Sequence, residues 1–160
     1  MEIITEPIKV PENVNIIFGM SHFIKTVEDI YEAIVNTNNQ IKFGIAFNEA
    51  SGQRLVRYDG NEDRLIELAQ ENQLRIGAGH TFLITIKNGF PINILPAIKN
   101  CREVVTIFCA TANKVEVILA KTKSGRGVLG VVDGETPKGI EFSNEINQRK
   151  KLLRDIGYKR

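Results

Sequence analysis

The 160-residue chain carries 21 basic and 19 acidic residues, a formal net charge of +2, with 42% hydrophobic and 25% charged residues. That length and composition exclude disorder and any need for a disulfide or metal staple. The near-balanced charge argues against a duplex-binding surface, which shows a concentrated basic stripe. The two cysteines, Cys101 and Cys109, form no CxxC pair, and with two histidines they make no zinc spacing. Cys109 reads as a buried thiol in a strand, which fits a reducing compartment. No apolar run approaches the roughly 18 residues of a membrane span, and the first ten residues alternate like a strand. These features predict a single cytoplasmic domain over residues 1–160, with neither a nucleic acid nor a membrane as partner.

In chain order, residues 3–10 and 14–18 predict two strands parted by Pro11-Glu12-Asn13. Gly19-Met20-Ser21 breaks the pattern. Phe23, Ile24, Val27, Ile30, Tyr31 and Ile34 then recur at spacings of three and four. This predicts a helix with His22 in its first turn and Ser21 or Thr26 as its cap. A polar loop at 36–40 leads to a strand over 41–50, a Ser51-Gly52 turn and a returning strand over 54–58. Leu65, Ile66, Leu68, Ala69 and Leu74 mark a second helix, closed by Gly77-Ala78-Gly79. Residues 81–87 form a strong strand. Beyond the Asn88-Gly89 turn, 91–100 predicts a short helix with Pro96 at its start or at a kink. Residues 104–112, 115–121 and 128–132 are strands, the last two joined through Ser124-Gly125-Arg126-Gly127. A loop over 136–140 precedes a last helix that begins at Ser143 or Asn144 and ends near Gly157. Its cluster of Arg149, Lys150, Lys151 and Arg154 interleaves with Leu152 and Leu153, as on the solvated face of an amphipathic helix. Hairpin-like groups of strands without regular βαβ alternation predict an α/β fold. The expected form is a mixed sheet with hairpins flanked by three or four helices, neither Rossmann nor P-loop.

The only two histidines, His22 and His80, sit at element junctions. At a helix start, free N–H groups and Lys25 one turn on suit a phosphate; the alternative is a plain surface histidine. His80 follows Gly77 and Gly79, which either let a ligand approach the backbone or satisfy a tight turn. It is either a packed structural residue at the base of a strand or a base or phosphoryl acceptor near neutral pH. Glu49 and Asp133 follow strands, where carboxylates serve as magnesium or ribose partners or simply as turn residues. Arg126, between Gly125 and Gly127, either holds phosphate with open amides or occupies an ordinary hairpin turn. The patterns GxxxxGK[ST] and GxGxxG are absent.

Seven ordered segments, 19–26, 42–47, 49–52, 77–80, 90–93, 109–113 and 125–134, together resemble the adenosine-specific kinase family, which is small, largely prokaryotic and well represented in archaea. The resemblance runs from about Val14 to Tyr158. It implies an α/β fold unlike the classical kinases, assembly as a homo-oligomer and specifically a trimer, and binding of adenosine and AMP. It also implies phosphoryl transfer associated with a phosphorylated histidine, with ATP or another nucleotide as donor and magnesium present. Both histidines become site candidates, with His80 favoured over His22 as the phosphorylated one. Lys25 and Arg126 would offset charge in the transfer. Ser21, Glu49, Ser51, Gly77, Gly79, Asn113, Gly125, Gly127 and Asp133 would contact ribose or phosphate, and Glu49 or Asp133 would hold the metal. The sequence departs from the family pattern at Met20, where a glutamine is expected, near Asn48, where a cysteine is expected, and near Lys114, where a proline is expected. The rival readings are a non-catalytic adenine-nucleotide sensor and a purely structural protein.

Overall fold

Strands rich in isoleucine and phenylalanine at both parities are buried on two faces, whereas strands that alternate with charge leave one face in water. Both kinds occur here. The computed structural model describes residues 1–160. The elements run β1 (Glu2–Ile8), β2 (Asn15–Ser21), α1 (Thr26–Thr37), β3 (Lys42–Asn48), β4 (Val56–Gly60), α2 (Asp63–Ile76), β5 (Thr81–Lys87), α3 (Pro91–Lys99), β6 (Val104–Thr111), β7 (Val115–Lys121), β8 (Arg126–Asp133) and α4 (Ser143–Asp155). The α/β class, the hairpins and the four helices are as the sequence implied, and no Rossmann arrangement is present. The strands divide between two sheets, with order β4-β3-β5-β2-β6 in one and β1-β7-β8 in the other. All of their pairings are antiparallel. No helix is long and apolar enough to cross a membrane.

The five-stranded sheet is covered on both sides. Ile17, Phe43, Ile45, Phe82, Ile84 and Ile86 point to one face and pack under α1 and α3 through Val27, Ile30, Ile34, Ile94 and Ile98. The opposite parity, Ile16, Phe18, Leu83 and Cys109, packs against Ile8, Val115, Val117 and Leu119 of the smaller sheet. The helix α2 crosses β3 so closely that a Cβ at Gly44 would collide with the Leu65 backbone. The Thr85 hydroxyl donates to the Leu65 carbonyl at 2.7 Å and satisfies a buried polar group there.

The register fixes where chemistry gathers. Gly19 of β2 and Phe47 of β3 both pair with Phe82 of β5. In this antiparallel arrangement the ends of β2 and β3 meet the start of β5 at one sheet edge. His22 and Glu49 lie just after the first two positions in sequence, and His80 lies just before the third.

One boundary differs from expectation at the site itself. The helix α1 begins at Thr26, not around residue 22. Thr26 donates its amide to the Phe23 carbonyl at 3.1 Å, and its hydroxyl bonds both Ser21 and Phe23. These local bonds hold residues 23–25 as a turn, and Phe23 and Ile24 stay exposed although their spacing mimics a helix face.

Candidate functional site

His80 is held by its backbone. Its amide donates to the Asn48 carbonyl at 2.8 Å, and its carbonyl accepts the Ser21 amide at 2.9 Å. The residue is thus tied between β3 and β2, with φ at +63°. The left-handed region costs a non-glycine residue about 1 kcal/mol or more, and it persists where the surroundings over-determine it. The imidazole lies nearly parallel to the Phe47 ring, centroids 6.0 Å apart and planes 14° apart. Gly79 is required by packing, since a Cβ there would sit 2.9 Å from the Ala50 Cβ. Gly77, at φ +60°, caps the C-terminus of α2.

His22 is not in a helix. It lies between β2 and the turn at residues 23–25, and its amide donates to the Glu103 carbonyl at 3.1 Å. The expectation that a helix N-terminus serves its phosphate therefore fails: α1 starts four residues later and the amide is already engaged. Lys25 pairs with Asp29 at 2.8 Å. Ser21 is fully buried, with its hydroxyl 2.5 Å from that of Thr26, so it faces the interior.

The two rings nevertheless line one cleft of about 770 Å³, with Phe23, Phe47, Ser51, Arg54 and Arg57. Its far wall is the loop joining β3 to β4, and Glu49 braces that loop. One carboxylate oxygen accepts the amides of Ala50 and Ser51 at 3.0 and 3.4 Å and the Ser51 hydroxyl at 3.3 Å. The other accepts Arg57 Nε at 3.1 Å. Burial acts to raise the Glu49 pKa, but those bonds and the Arg57 charge outweigh it and hold the carboxyl below the usual range.

A second cleft, about 610 Å³, lies across the same loop and shares Glu49, Arg54 and Val56 with the first. Gly77, Gly79, Gly125, Arg126 and Gly127 line it. Arg126 donates Nη1 to the carbonyls of Arg75 and Ile76 at 2.6 and 3.2 Å, so it ties the β7–β8 hairpin to the end of α2. Asn113 and Asp133 lie at the opposite end of β8 from Arg126. There Asp133 accepts the Thr111 hydroxyl at 2.9 Å and the Asn113 amide group at 3.1 Å. Within one chain the fold brings together His22, His80, Glu49 and Ser51, sets Arg126 and the glycines in the neighbouring cleft, and leaves Asn113 and Asp133 elsewhere. Glu49 and Asp133 do not converge, both carboxylates are engaged, and no group of three His, Cys, Asp or Glu side chains is placed to hold a metal ion. These residues do not fit a shared magnesium site.

The family described as Adenosine specific kinase matches residues 7–159. The chain belongs to that family. The chain is also 45% identical to the PH1918 protein from Pyrococcus horikoshii OT3, whose crystal structure superposes with a TM-score of 0.95 over 99% of this chain and 98% of that one. No curated protein matches the chain. In this adenosine-specific kinase family member, sequence reasoning passed over Arg54, Arg57, Phe47 and Asn48. Arg54 stands at φ +53° outside any strand, with its amide on the Ser51 carbonyl at 3.1 Å. The Asn48 side chain is buried and donates to the carbonyls of Gln73 and Ala78 at 3.0 and 3.1 Å, closing the base of the second cleft. The polar turn Ser51-Gly52-Gln53 was the one sequence signal that the chain reverses before residue 54.

Proposed function

We propose that this protein transfers a phosphoryl group from a nucleoside triphosphate to adenosine through a phosphohistidine at His80. The observation that carries the reading is the cleft on which both histidines open, with the His80 backbone fixed at two points. A ring nitrogen of His80 attacks the terminal phosphorus, a nitrogen–phosphorus bond forms, and the bond to the bridging oxygen breaks as the nucleoside diphosphate leaves. The adenosine hydroxyl then attacks the same phosphorus. The nitrogen–phosphorus bond breaks, its electron pair goes back to the ring nitrogen, AMP forms, and that nitrogen takes up the hydroxyl proton and releases it to solvent. The Phe47 ring keeps the imidazole in one orientation, and His22 bonds the phosphoryl oxygens from the other wall. Positioning and electrostatics supply most of the catalysis in such transfers. Magnesium enters with the nucleotide's own phosphates, and no step runs through a protein-held metal.

Intact-mass measurement after incubation with ATP tests this. The expected result is one acid-labile phosphate on the wild-type chain, none on His80→Ala, and its discharge to AMP when adenosine is added. A wild-type chain that forms AMP while never carrying phosphate overturns the covalent step. No adenosine-dependent AMP formation at all overturns the kinase reading.

A second reading, a nucleotide sensor that binds AMP without transfer, is favoured by one observation. The Glu49 carboxylate, the only acid in either cleft, is committed to bracing its loop. Tight AMP binding with no transfer from ATP would select it. The proposed setting is the cytoplasm, in keeping with two free thiols, and the proposed assembly is a homo-oligomer, a trimer by family resemblance. The helix α4, which buries none of its residues, supports assembly.

A further inference from the structure

We propose that Arg54 forms a phosphate subsite shared by the two clefts: it holds the terminal phosphate of a donor triphosphate whose tail lies in the glycine-lined cleft, and the phosphate of AMP whose nucleoside lies in the histidine cleft beside His80. This rests on the reading that the histidine cleft takes adenosine.

Three guanidinium groups border the clefts. Arg57 is held by Glu49, and Arg126 is held by the last carbonyls of α2. Arg54 alone has no hydrogen-bond acceptor or ion-pair partner, and it lines both clefts. Its position is built. The residue sits in the left-handed region with its amide on the Ser51 carbonyl, and Ser51 is bonded to the braced Glu49 carboxylate. Arg54 is exposed, so its guanidinium is open to an anion from solvent at the edge the two clefts share. A guanidinium meets phosphate oxygens with two parallel N–H donors, which a point charge does not do.

The surrounding charge agrees. Glu49 is the only acid in either cleft and is neutralised by Arg57, so Arg54 and Arg126 remain as a positive excess. On the glycine side, a Cβ at Gly125 or Gly127 would meet nothing within 4 Å, which leaves open room for a chain of phosphates. On the histidine side, Phe47 and the exposed Leu55 offer apolar surface to a base.

Equilibrium calorimetry on the intact protein tests this with adenosine, AMP, ATP and inorganic tripolyphosphate as probes. Arg54→Ala is expected to weaken AMP, ATP and tripolyphosphate about tenfold or more while leaving adenosine within about twofold. Arg54→Lys is expected to recover only part of the loss. Gly127→Asp, whose Cβ would meet nothing within 4 Å, is expected to weaken ATP and tripolyphosphate about tenfold and AMP far less. Unchanged AMP and ATP affinity in Arg54→Ala, or an equal loss for adenosine, overturns the subsite. If the wild type binds tripolyphosphate through Arg54 but never adenosine, the subsite stands and the adenosine reading fails. If it binds adenosine and AMP equally well, and tripolyphosphate not at all, the subsite fails and the adenosine reading stands.

Discussion

Glu103 is 2% exposed, and neither of its carboxylate oxygens has a hydrogen-bond partner. Burial, reinforced by the Asp29 carboxylate, pushes its pKa up, while Lys25 opposes. Its carbonyl holds the His22 amide, so the strain lies directly under the site. A raised carboxyl pKa means that the folded state binds the proton more tightly than the unfolded chain. The stabilisation is full below the ordinary carboxylate value and is lost as pH rises through the folded value. Asp29, lowered chiefly by its bond to Lys25, has the opposite sign and weakens the fold as pH falls. Glu103→Gln is therefore expected to raise stability at neutral pH by on the order of 1 kcal/mol. It should also flatten the decline in melting temperature between weakly acidic and neutral pH. An unchanged slope in thermal melts at several pH values would show that the carboxyl ionises without cost. Residues of this kind divide by how legible they are. Cys109 reads as a buried strand thiol from its neighbours alone, and burial does push it up to about 12. Arg54 was illegible, because a left-handed arginine has no sequence signature and its β-forming neighbours place it in a strand.

At the scale of elements, periodicity located every helix and strand, but their ends were decided by particular side chains bonding backbone groups. The helix α2 starts at Asp63 because the Glu62 carboxylate accepts the Leu65 amide at 2.8 Å. Its end is fixed from outside, by Arg126 reaching across 50 residues of sequence to the carbonyl of Ile76. Arg126→Ala is expected to cost about 1 kcal/mol by the loss of these charge-assisted bonds, read as a lower urea midpoint. A variant of undiminished stability would return Arg126 wholly to ligand binding. The α2–β3 crossing gives a sharper test. Gly44→Ala forces a methyl into the Leu65 backbone and is expected to destabilise by about 2–3 kcal/mol. Gly127→Ala, with open space around it, should stay within about 0.5 kcal/mol of wild type. Equal midpoints for the two variants would mean that α2 moves off the sheet without penalty.

At the scale of the molecule, hairpin pairings such as β7 with β8 follow from short turns, whereas β1 pairs with β7 across more than a hundred residues, Glu2 opposite Lys121. No local signal sets that partner; burial of Ile8 against Val115 and Leu119 does, and it turns the expected sheet into two. The same reasoning bears on α4. Its ion pairs, Arg149 with Glu141 and Lys151 with Asp155, are internal to the C-terminal segment. Ile140 and Phe142 before it are 87% and 77% exposed. An isolated helix of 13 residues is marginal in water, and α4, with Ile146 and Leu153 only partly buried and no residue fully so, gains little tertiary support within the chain. Residues 134–160 make up about a sixth of the chain, so a TM-score of 0.95 over 99% of it requires the segment to lie in the same place in the Pyrococcus horikoshii protein. The proposed homo-oligomer would supply from another copy the contacts that α4 lacks within its own chain. Light scattering on the eluting wild-type protein is expected to give an oligomer mass. Ile140→Asp with Phe142→Asp, which replaces two exposed apolar side chains and touches no core residue, should give the mass of one chain and a smaller helical signal. An oligomer that persists in the double variant would move the interface away from the C-terminal arm, and a monomeric wild type would remove the assembly altogether.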